Sequence, residues 1–163
     1  MRTLFDELDY EIIRALQKDG RLSASQIARM LNANERTIRK RIDRLMNSGA
    51  VRLTAILDPE AFGYVTAVDI FLEVEPAEEA SVIERFKKMA EISYIAFGQG
   101  TREVSIEGRF RSNDAMHEFI RRTLPSIPGV TLKGYALVPR ILRNIDEWMP
   151  RPEDFTSRRS DED

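Results

Sequence analysis

Residues 20–52, GRLSASQIARMLNANERTIRKRIDRLMNSGAVR, constrain the fold more than any other stretch, because two short amphipathic helices must form there with three residues between them. The first helix begins after Ser23, with Gln26 three residues on. That spacing lets each side chain satisfy an unpaired backbone N–H in a capping box. Its apolar stripe is Ile27, Ala28 and Leu31. Asn32-Ala33-Asn34 forms the turn, and the Asn34 amide is suited to N-cap the second helix, which runs to about Ser48. There Ile38, Ile42 and Leu45 recur at the spacing of a buried stripe. At about 100° per residue, Arg36 and Lys40 lie nearly opposite that stripe, with Thr37, Arg39 and Arg44 on its flanks. Gly49 stops the helix. Residues 51–57 then alternate weakly as a short strand, a wing carrying Arg52, which Pro59 ends.

A basic helical face can be nothing more than solvated surface. Charge counting favours a ligand instead. Residues 20–52 hold eight basic side chains (Arg21, Arg29, Arg36, Arg39, Lys40, Arg41, Arg44, Arg52) against Glu35 and Asp43, although the whole chain carries −2. Phosphate neutralisation supplies most non-specific DNA affinity, so a local positive patch on an acidic chain points to double-stranded DNA as the partner. Arg36, Thr37, Arg39 and Lys40 are placed to meet base edges or adjacent phosphates. Arg41, Arg44 and Arg52 are placed to hold the DNA backbone.

Upstream, residues 8–16 show Asp9 as the expected N-cap and Leu8, Ile12, Ile13 and Leu16 as an apolar face ending at Asp19-Gly20. This third helix completes a core that two helices could not close. After Pro59 the period changes. Residues 66–74 place Val68, Ile70, Leu72 and Val74 on one face of a half-buried strand. A helix is expected over 77–90 through Val82, Ile83, Phe86 and Met89. A strand follows over 92–97, a turn at Gly98-Gln99-Gly100, and a third strand facing inward through Val104, Ile106 and Phe110. A helix starting at Ser112 or Asn113 buries Met116, Phe119 and Ile120, and the last strand spans 130–138. The order is β-α-β-β-α-β.

The expected fold class is therefore α+β, an N-terminal winged helix-turn-helix (1–57), a linker (58–65), a ferredoxin-like βαββαβ domain (66–140) and a tail (141–163). Residues 1–52 carry +4 and the remainder −6, which separates a DNA-binding head from a regulatory or assembly body. In the tail, Ile141, Leu142, Ile145 and Trp148 offer enough apolar surface to pack on the body or a partner, with Trp148 as the anchor. From residue 156 onward, TSRRSDED has too little apolar content to order itself.

Composition excludes several kinds of chemistry. The chain has no cysteine and one histidine, His117, so it offers no disulfide framework, no thiolate metal site and no Ser/His constellation. No cofactor or metal is expected. No apolar run reaches the roughly 20 residues of a membrane span, and a cytoplasmic location without membrane association is expected.

The stretch LDELDYEIIRALQKDGRLSASQIARMLN resembles the Lrp/AsnC family of leucine-responsive, or feast/famine, transcriptional regulators. Leu8-Asp9 with Ile12, residues 16–21 and Ser23 stand as that family's N-terminal signature does. The likeness continues through Arg41-Ile42-Asp43-Arg44-Leu45 and Gly49, and in topology it covers about residues 4–140. It implies a bacterial or archaeal regulator, not an enzyme, that dimerises through its C-terminal sheets. It further implies assembly to tetramers or octamers and response to an amino acid or related small molecule bound between subunits. An effector loop in the family's position would comprise Gly98, Gln99, Gly100, Thr101, Arg102 and Glu103. Here Thr101 replaces the family's aspartate. Backbone N–H groups near the glycines, Arg102 and Glu103 could meet the charged groups of an effector, or the loop could be a solvated turn. Two other functions stand beside the regulator. Siroheme decarboxylases are similar in layout but need a histidine-bearing tetrapyrrole site, and a nucleoid-type architectural protein would use the same DNA-binding face with weak sequence preference.

Overall fold

Three helices open the chain in the computed structural model, which describes residues 5–98 and 102–155. Helix α1 spans Glu7–Lys18, α2 Ala24–Met30 and α3 Glu35–Asn47. Their facing stripes form one small core in which Ile12, Ala15, Leu16, Ile27, Ala28, Ile38 and Leu45 are buried and Leu8, Ile13, Leu31 and Ile42 pack around the rim. The capping box of α2 forms as the spacing predicts: Gln26 N–H donates to Ser23 Oγ at 3.2 Å and Ser23 N–H to Gln26 Oε1 at 2.8 Å. Asn34 caps α3 by accepting from Arg36 N–H at 2.8 Å. Asn32 takes a positive φ of 49° in the intervening turn, a conformation asparagine tolerates better than most residues.

Two details of this head differ from expectation. Asp6, not Asp9, is the N-cap of α1; its carboxylate accepts from the N–H groups of Leu8 and Asp9, and Asp9 returns the bond as the third helical residue. Both acids can cap, and the reciprocal geometry of the box decides between them. The expected wing is absent, since 51–58 hold no strand. Strand formation needs a neighbour with which to share a hydrogen-bond ladder, and weak local alternation does not supply one.

The second unit is the βαββαβ domain. Strands β1 (Thr66–Val74), β2 (Ile92–Phe97), β3 (Glu103–Phe110) and β4 (Val130–Leu137) form one antiparallel sheet in the order β2-β3-β1-β4. Helices α4 (Glu79–Phe86) and α5 (Asn113–Glu118) contribute to the core on one face of it. The alternation of β1 is realised in full, with Val68, Ile70, Leu72 and Val74 buried. Gly108 faces this core opposite Val68, and a Cβ there would meet the Phe110 ring at 2.6 Å; its missing side chain makes room for the Phe110–Phe119 ring contact.

Helix α4 is shorter than the expected 77–90, because a turn through Glu78 precedes it and its end tightens to bonds from Lys88 to Arg85 and from Met89 to Phe86. Beyond α5 the backbone widens into a π turn over Phe119–Thr123, then a 3-10 turn over Leu124–Ser126, so that Phe119, Ile120 and Leu124 all reach the core. The other sheet face carries Phe71 and Tyr94, both exposed, among Ala67, Ala96, Ser105 and Gly134.

The chain divides into two compact units, one holding the residues up to Ala55 together with those from Arg143 onward, the other Ile56–Leu142. The tail thus belongs with the head. Trp148 is 58% exposed and is not its anchor; Phe155 is, 9% exposed, with its ring edge-on to Tyr10 of α1 at 5.1 Å. No helix among the described residues is long and apolar enough to cross a membrane.

Candidate nucleic-acid interface

Helix α3 holds its charged residues in two different environments. Opposite the buried row of Ile38 and Leu45, the side chains of Arg36 and Lys40 are exposed, one turn apart, on the N-terminal half of the helix. Thr37 lies half-buried beside them. Arg39 is exposed and spans back to Glu35 at 2.7 Å, an i,i+4 pair whose solvent exposure leaves it easy to exchange for another anion. Asp43 sits a further turn along the outer row, away from the end a helix-turn-helix inserts into the major groove. Arg52, beyond Gly49, is exposed on the extended segment. Gly49 adopts φ 75°, which ends α3 without the steric cost a side chain would bring.

Arg41 and Arg44, expected to hold a DNA backbone, also form ion pairs within the head, and the Arg44 side chain is about half exposed. The Arg41 side chain is 15% exposed, with its guanidinium 2.5 Å from Asp6 Oδ1 and 3.1 Å from Asp9 Oδ1. Arg44 pairs with Asp9 Oδ2 and its guanidinium stands over the Phe5 ring. Asp9 is fully buried. Burial draws the Arg41 pKa down, but its hydrogen bonds to Asp6 and Asp9 outweigh that and leave it raised, so the cation is firmly held. The helical wheel could not reveal this, because the partners lie 35 residues apart along the chain. The shared spacing of three, in Asp6 and Asp9 and in Arg41 and Arg44, is visible in the sequence but names no partner.

The loop between β2 and β3 is only partly described. Gly98 N–H donates to the Glu103 carbonyl at 2.9 Å and closes the hairpin, and the Arg102 carbonyl accepts from Val74 N–H. Arg102 is exposed. Gln99, Gly100 and Thr101 lie outside the described residues. His117 is half-buried on α5 beside the buried Met116. Among the described residues no group of His, Cys, Asp and Glu could hold a metal ion.

These features define a class: a small helical head with a basic recognition helix, followed by an α+β sheet domain. Residues 5–46 match the AsnC-type helix-turn-helix domain. The chain is 31% identical over 144 residues to an uncharacterised HTH-type transcriptional regulator of Pyrococcus abyssi, covering 88% of this chain and 89% of that one. It is 34% identical over 131 residues to the HTH-type transcriptional regulator FL11 of the same organism, covering 80% of this chain and 86% of that one. Its fold is that of the transcriptional regulator NMB0573 in its L-Met complex from Neisseria meningitidis, with a TM-score of 0.77, 23% identity and coverage of 87% and 94%. The chain belongs to the Lrp/AsnC family and is a transcriptional regulator with a DNA-binding helix-turn-helix.

Proposed function

We propose that the protein reads DNA sequence with Arg36, Thr37, Arg39 and Lys40 of α3 and binds inverted-repeat operators as a homodimer in the cytoplasm. The observation that carries this reading is the exposed Arg36–Lys40 row on the face of α3 turned away from the head core. A helix presented this way places its N-terminal side chains in a major groove, where arginine to guanine is the commonest specific contact. Arg39 can exchange Glu35 for a phosphate, and Arg52 adds a backbone contact.

Dimerisation is supported by the sheet face that carries Phe71 and Tyr94. Small side chains between these rings permit close approach of a second sheet. On the same face Asp69 is opposite Glu107 and Glu73 opposite Glu103. Each pair is relieved by one cation, Arg109 on Glu107 at 2.6 Å and Lys133 on Glu73 at 3.0 Å. Dimers can assemble further into tetramers or octamers. An amino acid is the effector class we favour, bound at the loop that Gly98 and Glu103 close, with Arg102 facing its carboxylate; the structural relative held with L-Met supports that class.

Selection from random duplex DNA at near-physiological salt tests the reading. An enriched inverted repeat, with Arg36→Ala losing about 1–3 kcal/mol of discrimination at one base pair of each half-site, is the expected result. Salt-dependent binding without enrichment would overturn sequence-specific recognition in favour of an architectural role.

A further inference from the structure

The two central strands of the sheet end together, and a cavity opens where they do. Thr66 of β1 faces Phe110 of β3 at the last paired position, so the residues just outside that pair, Tyr64 and Arg111, come to one end of the sheet. Tyr64 leaves a 3-10 turn, Glu60–Phe62, with its N–H donating to the Pro59 carbonyl at 3.0 Å. Arg111 is held between the end of β3 and Ser112, the N-cap of α5. A Cβ on Gly63 would lie 3.0 Å from Arg111 Nη1. Its absence leaves the guanidinium room to lie over the Tyr64 ring, 4.8 Å from the centroid.

The cavity beside this stack has a volume of about 380 Å³, at the small end of the roughly 300–1,000 Å³ of small-molecule sites. Phe110 and Phe119, with ring centroids 5.2 Å apart, give it an apolar wall. Four charged residues also line it. Arg109 is engaged by Glu107 at 2.6 Å and Glu118 by Arg122 at 3.3 Å, while Glu91 is exposed. Arg111 pairs with no carboxylate among the described residues. Two arginines and two glutamates sum to zero, so the site has no net charge with which to draw a phosphate ester or other polyanion. What it offers is one guanidinium, set in place on an aromatic face beside an apolar wall. The planar fork of such a group matches the two oxygens of a carboxylate.

The geometry points to a binding site at this end of the sheet for a small monocarboxylate with an apolar ring, its carboxylate on Arg111 and its ring against Phe110 and Phe119. The site is separate from the loop that Gly98 and Glu103 close. That loop lies at the other end of β3, whose eight residues span roughly 23 Å. Every residue of the site belongs to the sheet domain, so it stands independently of how the head reads DNA.

The test titrates hydrocinnamate, a phenyl ring on a short carboxylate chain, into the isotopically labelled full-length chain and follows its amide resonances by NMR. Saturable shifts are expected at Tyr64, Arg111 and Thr123, with a dissociation constant on the order of 1 mM or below. Hydrocinnamyl alcohol, the same body without the charge, should bind at least about tenfold more weakly. Arg111→Gln should weaken binding of the acid at least about tenfold, and Arg111→Lys, which keeps the charge and loses the fork, by less. Ala115→Phe guards against a folding defect in the arginine variants: it fills the cavity from an exposed position of α5, alters no charge and should abolish the shifts. No saturable shift in the parent, shifts confined to the β2–β3 loop, equal affinity for acid and alcohol, or unchanged binding in Arg111→Gln would each overturn the site.

Discussion

The head and the sheet domain are stabilised by different means. Among the described residues, the sheet domain buries fourteen apolar side chains between one sheet face and its helices, and no charged one. Among the described residues, the three-helix core of the head buries seven, and at their edge sets a fully buried carboxylate, Asp9, against two arginines of α3. A small three-helix unit has little apolar area with which to fix the roll of one helix against another. An ion-pair lattice with directional bonds supplies that. Arg41 and Arg44 of α3 are paired with acids of the head, while Arg36 and Lys40 stand exposed on its outer face.

Core truncation in each unit should show the contrast most strongly. Phe86→Ala in the sheet domain is expected to cost about 3–5 kcal/mol as a cavity in a close-packed interior. Asp9→Ala is expected to cost up to a similar amount, about 3–5 kcal/mol, but for another reason: Arg41 keeps only one of its two counter-charges, Asp6, and the return bond of the α1 capping box is lost. Denaturant titration of the two variants distinguishes the causes when Arg41→Met is added to each. The second change should recover much of the loss in Asp9→Ala and none in Phe86→Ala. No recovery in either would mean that the head is packed as the sheet domain is.

A smaller effect separates the exposed from the ion-paired arginines of α3. Removing Arg36 should lower the salt dependence of DNA binding by about one released counterion. Arg44→Ala should lower it by less than half as much, because Asp9 already neutralises that charge in the free protein. Equal slopes for the two variants would show that the lattice opens when DNA binds, and the division of labour along α3 would fail.

How far these regions could be read from residues alone follows the range of the interactions involved. The Ser23–Gln26 box, the Asn34 cap and the stripes of α2 and α3 depend on neighbours within four residues, and so does the alternation that yields β1 and β3. All were legible. The Asp9–Arg44 pair and the Tyr10–Phe155 contact join residues far apart in the chain, which no periodicity encodes. Trp148 outweighed Phe155 as the expected anchor because side-chain size is visible in a sequence and the path of a tail is not. The wing failed for the same reason.

Helix caps offer a milder comparison between the units. Ser23→Ala in the head removes the hydroxyl that accepts from Gln26 N–H in a reciprocal box, and should cost about 1 kcal/mol in thermal or chemical unfolding. Ser112→Ala in the sheet domain removes one bond, Ala115 N–H to Ser112 Oγ at 3.1 Å, and should cost about 0.5 kcal/mol. Reversal of that order would mean that the return bond from Gln26 adds nothing.

The smallest expected effects are at two exposed carboxylates, one in each unit. Asp19 in the head has its pKa lowered first by the backbone N–H of Arg21 and then by that residue's side chain. Glu84 on α4 has its pKa lowered first by a hydrogen bond from Lys87 and then by that residue's charge. Because both folded pKa values are depressed, each group adds stability above its unfolded pKa and loses it as pH falls through the folded one. The causes differ, and so should the response to salt. A mobile ammonium is screened, since the Debye length falls to about 3 Å at 1 M, whereas a backbone N–H held in a turn is not displaced by counterions. Carboxyl titration by NMR at low salt and at about 1 M should return Glu84 toward the ordinary glutamate range and leave Asp19 depressed. If both return together, the Asp19 shift comes from the Arg21 charge, and the turn that follows α1 is held by electrostatics instead of by its backbone bond.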